Sequence, residues 1–179
     1  MKQRNVRTRV NRMALAVLAT AGLAACGGGD NLEKPDWLGE VRSASLDGNT
    51  DDLLTAGLGA NGLAAPLAPA YADPLVPTAA ELRRTALHTN YRADGTVTTD
   101  AGKIAGHEYH ALADDGTGRR NVGLMVQVPA SFNPAKPCII TATASGSRGI
   151  YGGISTGEWG LKRGCAVAYT DKGTGAAPH

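Results

Sequence analysis

The sequence predicts an α/β fold, and three observations carry that reading. Two continuous runs of apolar and β-branched residues, "CIITATA" (residues 138–144) and "CAVAYTD" (residues 165–171), have the composition of strands covered on both faces. Between them lie a glycine-rich loop and a short segment with helix signals, so the order is strand, loop, helix, strand: a right-handed crossover joining parallel strands. Ahead of them, "GKIAGHEYHALAD" and "NVGLMVQVP" alternate, the second placing Val122, Leu124, Val126 and Val128 on one face, as in a hairpin of neighbouring strands.

The elements follow in chain order. The first twelve residues carry Lys2, Arg4, Arg7, Arg9 and Arg12, and the uncharged apolar "MALAVLATAGLAA" behind them is too short to span a bilayer as a mature helix. Residues 1–25 are therefore read as an export signal, which places the chain outside the cell or at the outer membrane. It ends in Leu23-Ala24-Ala25-Cys26, which resembles the lipobox of bacterial lipoproteins; on that reading Cys26 is lipidated and tethers the chain to a membrane. A plain signal-peptide cut after Ala25 fits as well. Residues 1–25 hold five of the 18 Lys and Arg and none of the 16 Asp and Glu, so the remainder carries 13 positive against 16 negative charges. That balance gives no basic face for nucleic acid.

Residues 26–77, rich in Gly, Ala, Pro, Asn and Asp, show no sustained period and read as an irregular lead-in. Leu53, Leu54 and Leu58 are its apolar anchors. Residues 78–179 form the domain proper. Thr78-Ala-Ala-Glu81 is a capping box that opens a helix from Ala79 to about His88. Ser155-Thr-Gly-Glu158 is a second one, predicting a helix from about Thr156 to Arg163 with Gly164 as its stop. Aromatic residues are only 4% of the chain, so the core is thin for 179 residues, and an incomplete domain is expected. Cys138 and Cys165 each open one of the two core strands; a disulfide and a pair of buried thiols are both compatible with this.

Several motifs invite a chemical reading. Gly153-Ile-Ser-Thr-Gly157 fits G-x-S-x-G, but a nucleophile elbow needs its serine on a strained turn leading directly out of a buried strand. The strand ends about ten residues before Ser155, and the capping box gives that hydroxyl a competing role. His107-Glu-Tyr-His110 lacks the H-E-x-x-H spacing, and on a strand its two histidines face opposite ways, so no metal site is assigned. His88 and His179 have no companions that mark a catalytic base. "DKGTGAAP" completes neither phosphate-binding glycine pattern. The loop Ser145-Gly146-Ser147-Arg148 is more informative. It follows a core strand and precedes a helix, where an α/β-hydrolase places a backbone donor of its oxyanion hole. A tight connection that merely needs small residues fits the spacing equally well.

"TASGSRGIYGG" and "GEWGLKRGCAVAYTDKGTG", together with "VPASFNPAKPCI" and "PTAAELRRTALHTNYRA", resemble the bacterial D-(−)-3-hydroxybutyrate oligomer hydrolases over Pro77 to Gly175. The resemblance implies an exported serine esterase that cleaves short oligomers of 3-hydroxybutyrate, products of polyhydroxybutyrate degradation, without a metal or organic cofactor. It also implies an α/β-hydrolase-type sheet of which this chain holds the beginning. Members of the family are several times longer, with the nucleophile downstream, so no triad residue is assigned within 1–179. The site residues expected here are Ser145, Gly146 and Ser147, as oxyanion donors through their amides, and Arg148, as a contact for the substrate carboxylate. The competing class is a non-enzymatic surface lipoprotein or binding module.

Overall fold

A computed structural model describes residues 33–94, 102–118, 121–144 and 148–173. The chain divides into Met1–Lys34 and Pro35–His179, and nearly all described residues belong to the second unit. Its elements are β1 (Arg42–Leu46), α1 (Gly59–Ala64), α2 (Ala79–Asp94), β2 (Gly106–Ala113), β3 (Val122–Pro129), β4 (Ile139–Thr143), a 3-10 turn (Ile150–Gly153), α3 (Ile154–Leu161) and β5 (Ala166–Thr170). The five strands form one mixed sheet in the order β1-β2-β3-β5-β4. The fold is α/β, as the sequence predicts.

The hairpin and the crossover are both present. β2 and β3 pair antiparallel from Gly106↔Pro129 to Ala113↔Val122. β4 and β5 pair parallel from Ile139↔Ala166 to Thr143↔Thr170, with the 3-10 turn and α3 between them in the chain. The glycines of α3 let it lie close to the sheet: a Cβ at Gly157 would stand 1.9 Å from the Tyr169 hydroxyl, and one at Gly160 would stand 3.0 Å from both Ile140 and Val167. β5 also runs antiparallel to β3, which welds crossover to hairpin.

The capping box at Thr78 is made as predicted. The Thr78 amide donates to Glu81 Oε2 (2.8 Å) and the Glu81 amide donates to Thr78 Oγ1 (3.3 Å). Bonds to its carboxylate from the Ala72 amide, which contributes most, and from the Thr78 amide and hydroxyl hold the Glu81 carboxyl at about 2. α2 continues six residues past the expected end at His88, because tertiary anchors outweigh the poor helix propensity of Thr89 and Asn90. Tyr91 is fully buried and donates to Glu158 Oε2 (2.9 Å). Asn90 Nδ2 donates to the Arg148 carbonyl (3.1 Å).

The stretch read as irregular lead-in has more structure than its composition suggests. It supplies β1, which pairs with β2 from Arg42↔His110 to Leu46↔Gly106, and the short helix α1 against α2. Leu53 and Leu54 are completely buried in the core with Leu63, Leu87, Met125, Ile150, Ile154 and Leu161, and Leu58 packs against it.

The second capping box is not made. The N-cap of α3 is Gly153, without a side-chain cap bond, and Ser155 is exposed in the first turn of a helix that starts and ends two residues earlier than expected. The 3-10 turn runs straight into α3, with Gly152 N donating to Gly149 O and Ile154 N to Tyr151 O, so Ser155 lies inside continuous helical backbone rather than at the start of the helix. Glu158 instead bonds Tyr91 and Lys162.

Candidate functional site

The loop that joins β4 to α3 leaves the sheet at the carboxyl ends of the parallel pair, where open α/β sheets bind their ligands. Ala144, just past β4, is still tied to the sheet by its amide, which donates to the Thr170 carbonyl (2.9 Å). Ser145, Gly146 and Ser147 lie outside the described residues, as do Cys26, residues 1–25 and His179.

Arg148 resumes the chain, locked to α2 by a reciprocal pair of bonds. Its Nη2 donates to the Asn90 carbonyl (2.6 Å), and Asn90 Nδ2 donates to the Arg148 carbonyl (3.1 Å). Gly149 follows with φ 68° and ψ −172°, a backbone conformation that in practice only glycine adopts. This glycine turns the chain sharply inward, and Tyr151 two residues on is buried.

Tyr151 enters a buried polar network centred on Glu108 of β2. Glu108 Oε1 accepts from the Tyr151 hydroxyl (2.7 Å), Arg83 Nε (2.9 Å) and His110 Nε2 (2.8 Å). Its Oε2 accepts from Arg83 Nη2 (3.0 Å) and Gln127 Nε2 (2.6 Å). Arg83 also donates to Asp51 Oδ1 (2.6 Å) and to the Asp52 carbonyl (2.9 Å), while Gln127 donates to the Leu53 carbonyl (2.9 Å) and accepts from Tyr169 (2.6 Å). Glu108 is 2% exposed. A cavity of about 220 Å³, lined mainly by apolar surface, lies beside the network against Ala44, Leu46, Ala79 and Ala80.

The electrostatics follow from five donors converging on one carboxylate. Burial pushes the Glu108 pKa up, but the Arg83 charge and the bonds from His110 and Arg83 outweigh it, so the carboxyl sits well below the usual range. Burial works to deprotonate Arg83, and Glu108 more than reverses this. Burial, reinforced by Glu108, drives the Tyr151 and Tyr169 hydroxyls well above the ordinary tyrosine value. Burial also raises Asp51, with Arg83 opposing. The ion pair is therefore fixed, and both tyrosines stay neutral donors. Through Tyr151 this cluster anchors the 3-10 turn that follows the candidate oxyanion residues.

The sequence reading missed this network because its members lie far apart in the chain: Arg83 and Glu108 are 25 residues apart, Gln127 and Leu53 are 74. A faint signal was present, since Glu108 and Gln127 interrupt otherwise apolar alternation at positions that pair directly across β2 and β3. The histidines fall as expected. His107 is exposed and His110 points to the opposite face, toward Glu108. His88 is buried and donates through Nε2 to the Ala65 carbonyl (2.9 Å). Among the described residues, no group of three or more His, Cys, Asp or Glu side chains is placed to hold a metal ion.

Ser155 is exposed on a regular helix turn rather than at a strained elbow. Ser155→Ala in the full-length protein is expected to change unfolding stability by no more than about 0.5 kcal/mol, because no cap bond is lost and Ala is the better helix former. Turnover should be retained. A loss of 1 kcal/mol or more by urea unfolding would show a cap that the geometry lacks.

Fold and loop together define the class: an α/β protein with a glycine-rich connection at the carboxyl end of a parallel strand. The chain belongs to the 3HB-oligomer hydrolase (3HBOH) family, which it matches over residues 22–94 and 93–179. It is 54% identical to the D-(−)-3-hydroxybutyrate oligomer hydrolase of Cupriavidus pinatubonensis, over 96% of this chain and 28% of that protein. It is 60% identical to that of Cupriavidus necator, over 82% of this chain and 23% of that protein, and 56% identical to that of a Polaromonas species, over 93% and 27%. The chain thus spans about a quarter of the length of the curated relatives it matches. No solved structure matches it.

Proposed function

We propose that the full-length protein is an exported serine esterase that hydrolyses short oligomers of D-3-hydroxybutyrate to monomers. The observation that carries this reading is the 54–60% identity to D-(−)-3-hydroxybutyrate oligomer hydrolases over most of the chain. Residues 78–179 supply the opening strands of an α/β-hydrolase-type sheet, and β1, Leu53 and Leu54 pack onto it from the lead-in. A serine supplied by the portion of the protein outside this chain attacks the ester carbonyl, assisted by a base, and water releases the acyl-enzyme.

The part played by this chain is transition-state support. The amides of Ser145, Gly146 and Ser147 stabilise the oxyanion, and Arg148 draws the carboxylate end of the oligomer toward the loop. The bonds from Arg148 to Asn90 and from Tyr151 to Glu108 hold the downstream end of that loop rigid. Export rests on residues 1–25, with Cys26 as the lipidation site, and the disulfide between Cys138 and Cys165 supports an oxidising destination. Among the described residues no helix is long and apolar enough to cross a membrane.

The test is an assay of the full-length protein on the dimer of D-3-hydroxybutyrate, with an unrelated ester as control. Hydrolysis of the dimer is expected, and its absence in a folded, exported protein overturns the reading. Gly146→Val should lower turnover by about 100-fold or more through displaced oxyanion donors, with little change in melting temperature. Undiminished turnover would remove the loop from the active site.

A further inference from the structure

Lys172 occupies a position that a lysine does not favour on conformational grounds. It is the second residue after β5 and has φ 61°, in the left-handed region that L side chains rarely adopt. Gly173 follows with φ 81°, so the chain takes two left-handed steps in succession as it leaves the sheet. Gly, Asn or Asp is the ordinary choice at such a position. A long cationic side chain adds nothing to the turn, and Lys172 is exposed, so packing does not account for it either.

The turn is held by its neighbours. Asp171 is fully buried, and its Oδ1 accepts from the amides of Gly123 (2.8 Å) and Gly173 (2.8 Å). The Asp171 amide donates to the Gly123 carbonyl (3.1 Å), and the Lys172 amide donates to Thr170 Oγ1 (3.3 Å). The start of β3 and the end of β5 thus over-determine a strained backbone, the condition under which strain persists at functional positions. This one lies at the carboxyl end of the parallel pair. Thr170 stands opposite Thr143, and its carbonyl accepts from the Ala144 amide, so Lys172 leaves the sheet close to where β4 gives way to Ser145. Arg148, at the other end of that connection in the sequence, gives its Nη2 to the Asn90 carbonyl. Among the described residues, no acidic side chain is ion-paired with Lys172.

We infer that Lys172 is a specificity-determining residue, whose ammonium binds the free carboxylate of a short hydroxyacid oligomer and so favours such acids over neutral esters of the same length. The assignment rests on the esterase reading above and deepens it. An oligomer of a hydroxyacid carries one carboxylate however many ester bonds it holds, so one cation at a fixed place beside the ester-binding end is enough to tell it from an uncharged ester. Lysine suits that task, because its compact charge rides on a flexible stem and can follow the carboxylate, whereas Arg148 acts from a position tied to α2.

Kinetics of the full-length protein on the dimer of D-3-hydroxybutyrate and on its neutral carboxyl methylamide test this. The wild type should prefer the acid. Lys172→Met should reduce that preference in kcat/KM by about 10-fold or more, through a higher KM for the acid, as expected for the loss of one charge-assisted bond. Lys172→Arg should keep most of the preference. Lys172→Gly should lose it as Lys172→Met does while raising the melting temperature, because glycine relieves the left-handed residue. Lys172→Met with the wild-type preference, or Lys172→Arg as impaired as Lys172→Met, overturns the assignment and leaves ester hydrolysis itself standing. A folded wild type that cleaves neither compound overturns the esterase reading, and the assignment with it.

Discussion

Glu108→Ala in the full-length protein is expected to lose about 3–5 kcal/mol of unfolding free energy, the cost of taking from a buried arginine the more deeply buried of its two carboxylate partners. Arg83 is 7% exposed, and the Tyr151, His110 and Gln127 donors lose their acceptor in the same step. Replacing both ions, as in Arg83→Met with Glu108→Leu, should cost less than Glu108→Ala alone, because the uncompensated charge is gone. Urea unfolding of the single and double variants measures both. Equal losses would mean that Arg83 finds adequate support in Asp51 and the Asp52 carbonyl.

The same carboxylate sets a pH dependence. Its pKa in the fold lies well below the ordinary 4.5, so on acidification the unfolded chain takes up the proton first. The stabilisation is complete above that ordinary value and is lost as pH falls below it toward the folded pKa. Glu81 and Asp47, each held at about 2 chiefly by backbone amides, contribute over the same window. The wild type should therefore lose melting temperature between pH 5 and pH 3 more steeply than Glu108→Gln, and the difference isolates Glu108. Parallel curves would contradict the depressed pKa.

How much could be read in advance depended on how local the determining interactions are. The Thr78 capping box, the β2–β3 alternation and the β4–α3–β5 crossover are written within short windows, and each is present. β1 was not legible: "RSASL" has little apolar alternation and four of its five residues are exposed, so it exists through pairing with β2. Ser155 misled because a capping box assumes a helix that begins from extended chain, whereas α3 begins from a 3-10 turn. The network around Glu108 depends on partners from α2, β2, β3, β5 and the loop before α3, which no local pattern connects. At the candidate loop, sequence resemblance names Ser145, Gly146 and Ser147; the structure adds the Asn90 and Tyr151 anchors that follow them.

The disulfide carries the second large effect. The parallel register that sets Ile139 opposite Ala166 puts Cys138 beside Cys165 with Cα atoms 4.6 Å apart, within bridging distance, and the two sulfurs are bonded. The bridge closes a loop over a sequence separation of 27 residues that contains all of α3. For a loop of that size the chain-entropy estimate is about 3.5 kcal/mol of stabilisation, taken from the unfolded state. The native state has its own reason to depend on it, because β4 is the last strand of the described sheet and pairs on one side only. Cys138→Ala with Cys165→Ala should therefore lower urea-unfolding stability by about 2–4 kcal/mol. Dithiothreitol should bring the wild type close to the double variant while leaving the variant itself unchanged. Equal midpoints for wild type and variant under oxidising conditions, or complete alkylation of both thiols in exported protein before reduction, would mean that the bond does not form and that backbone pairing alone holds β4.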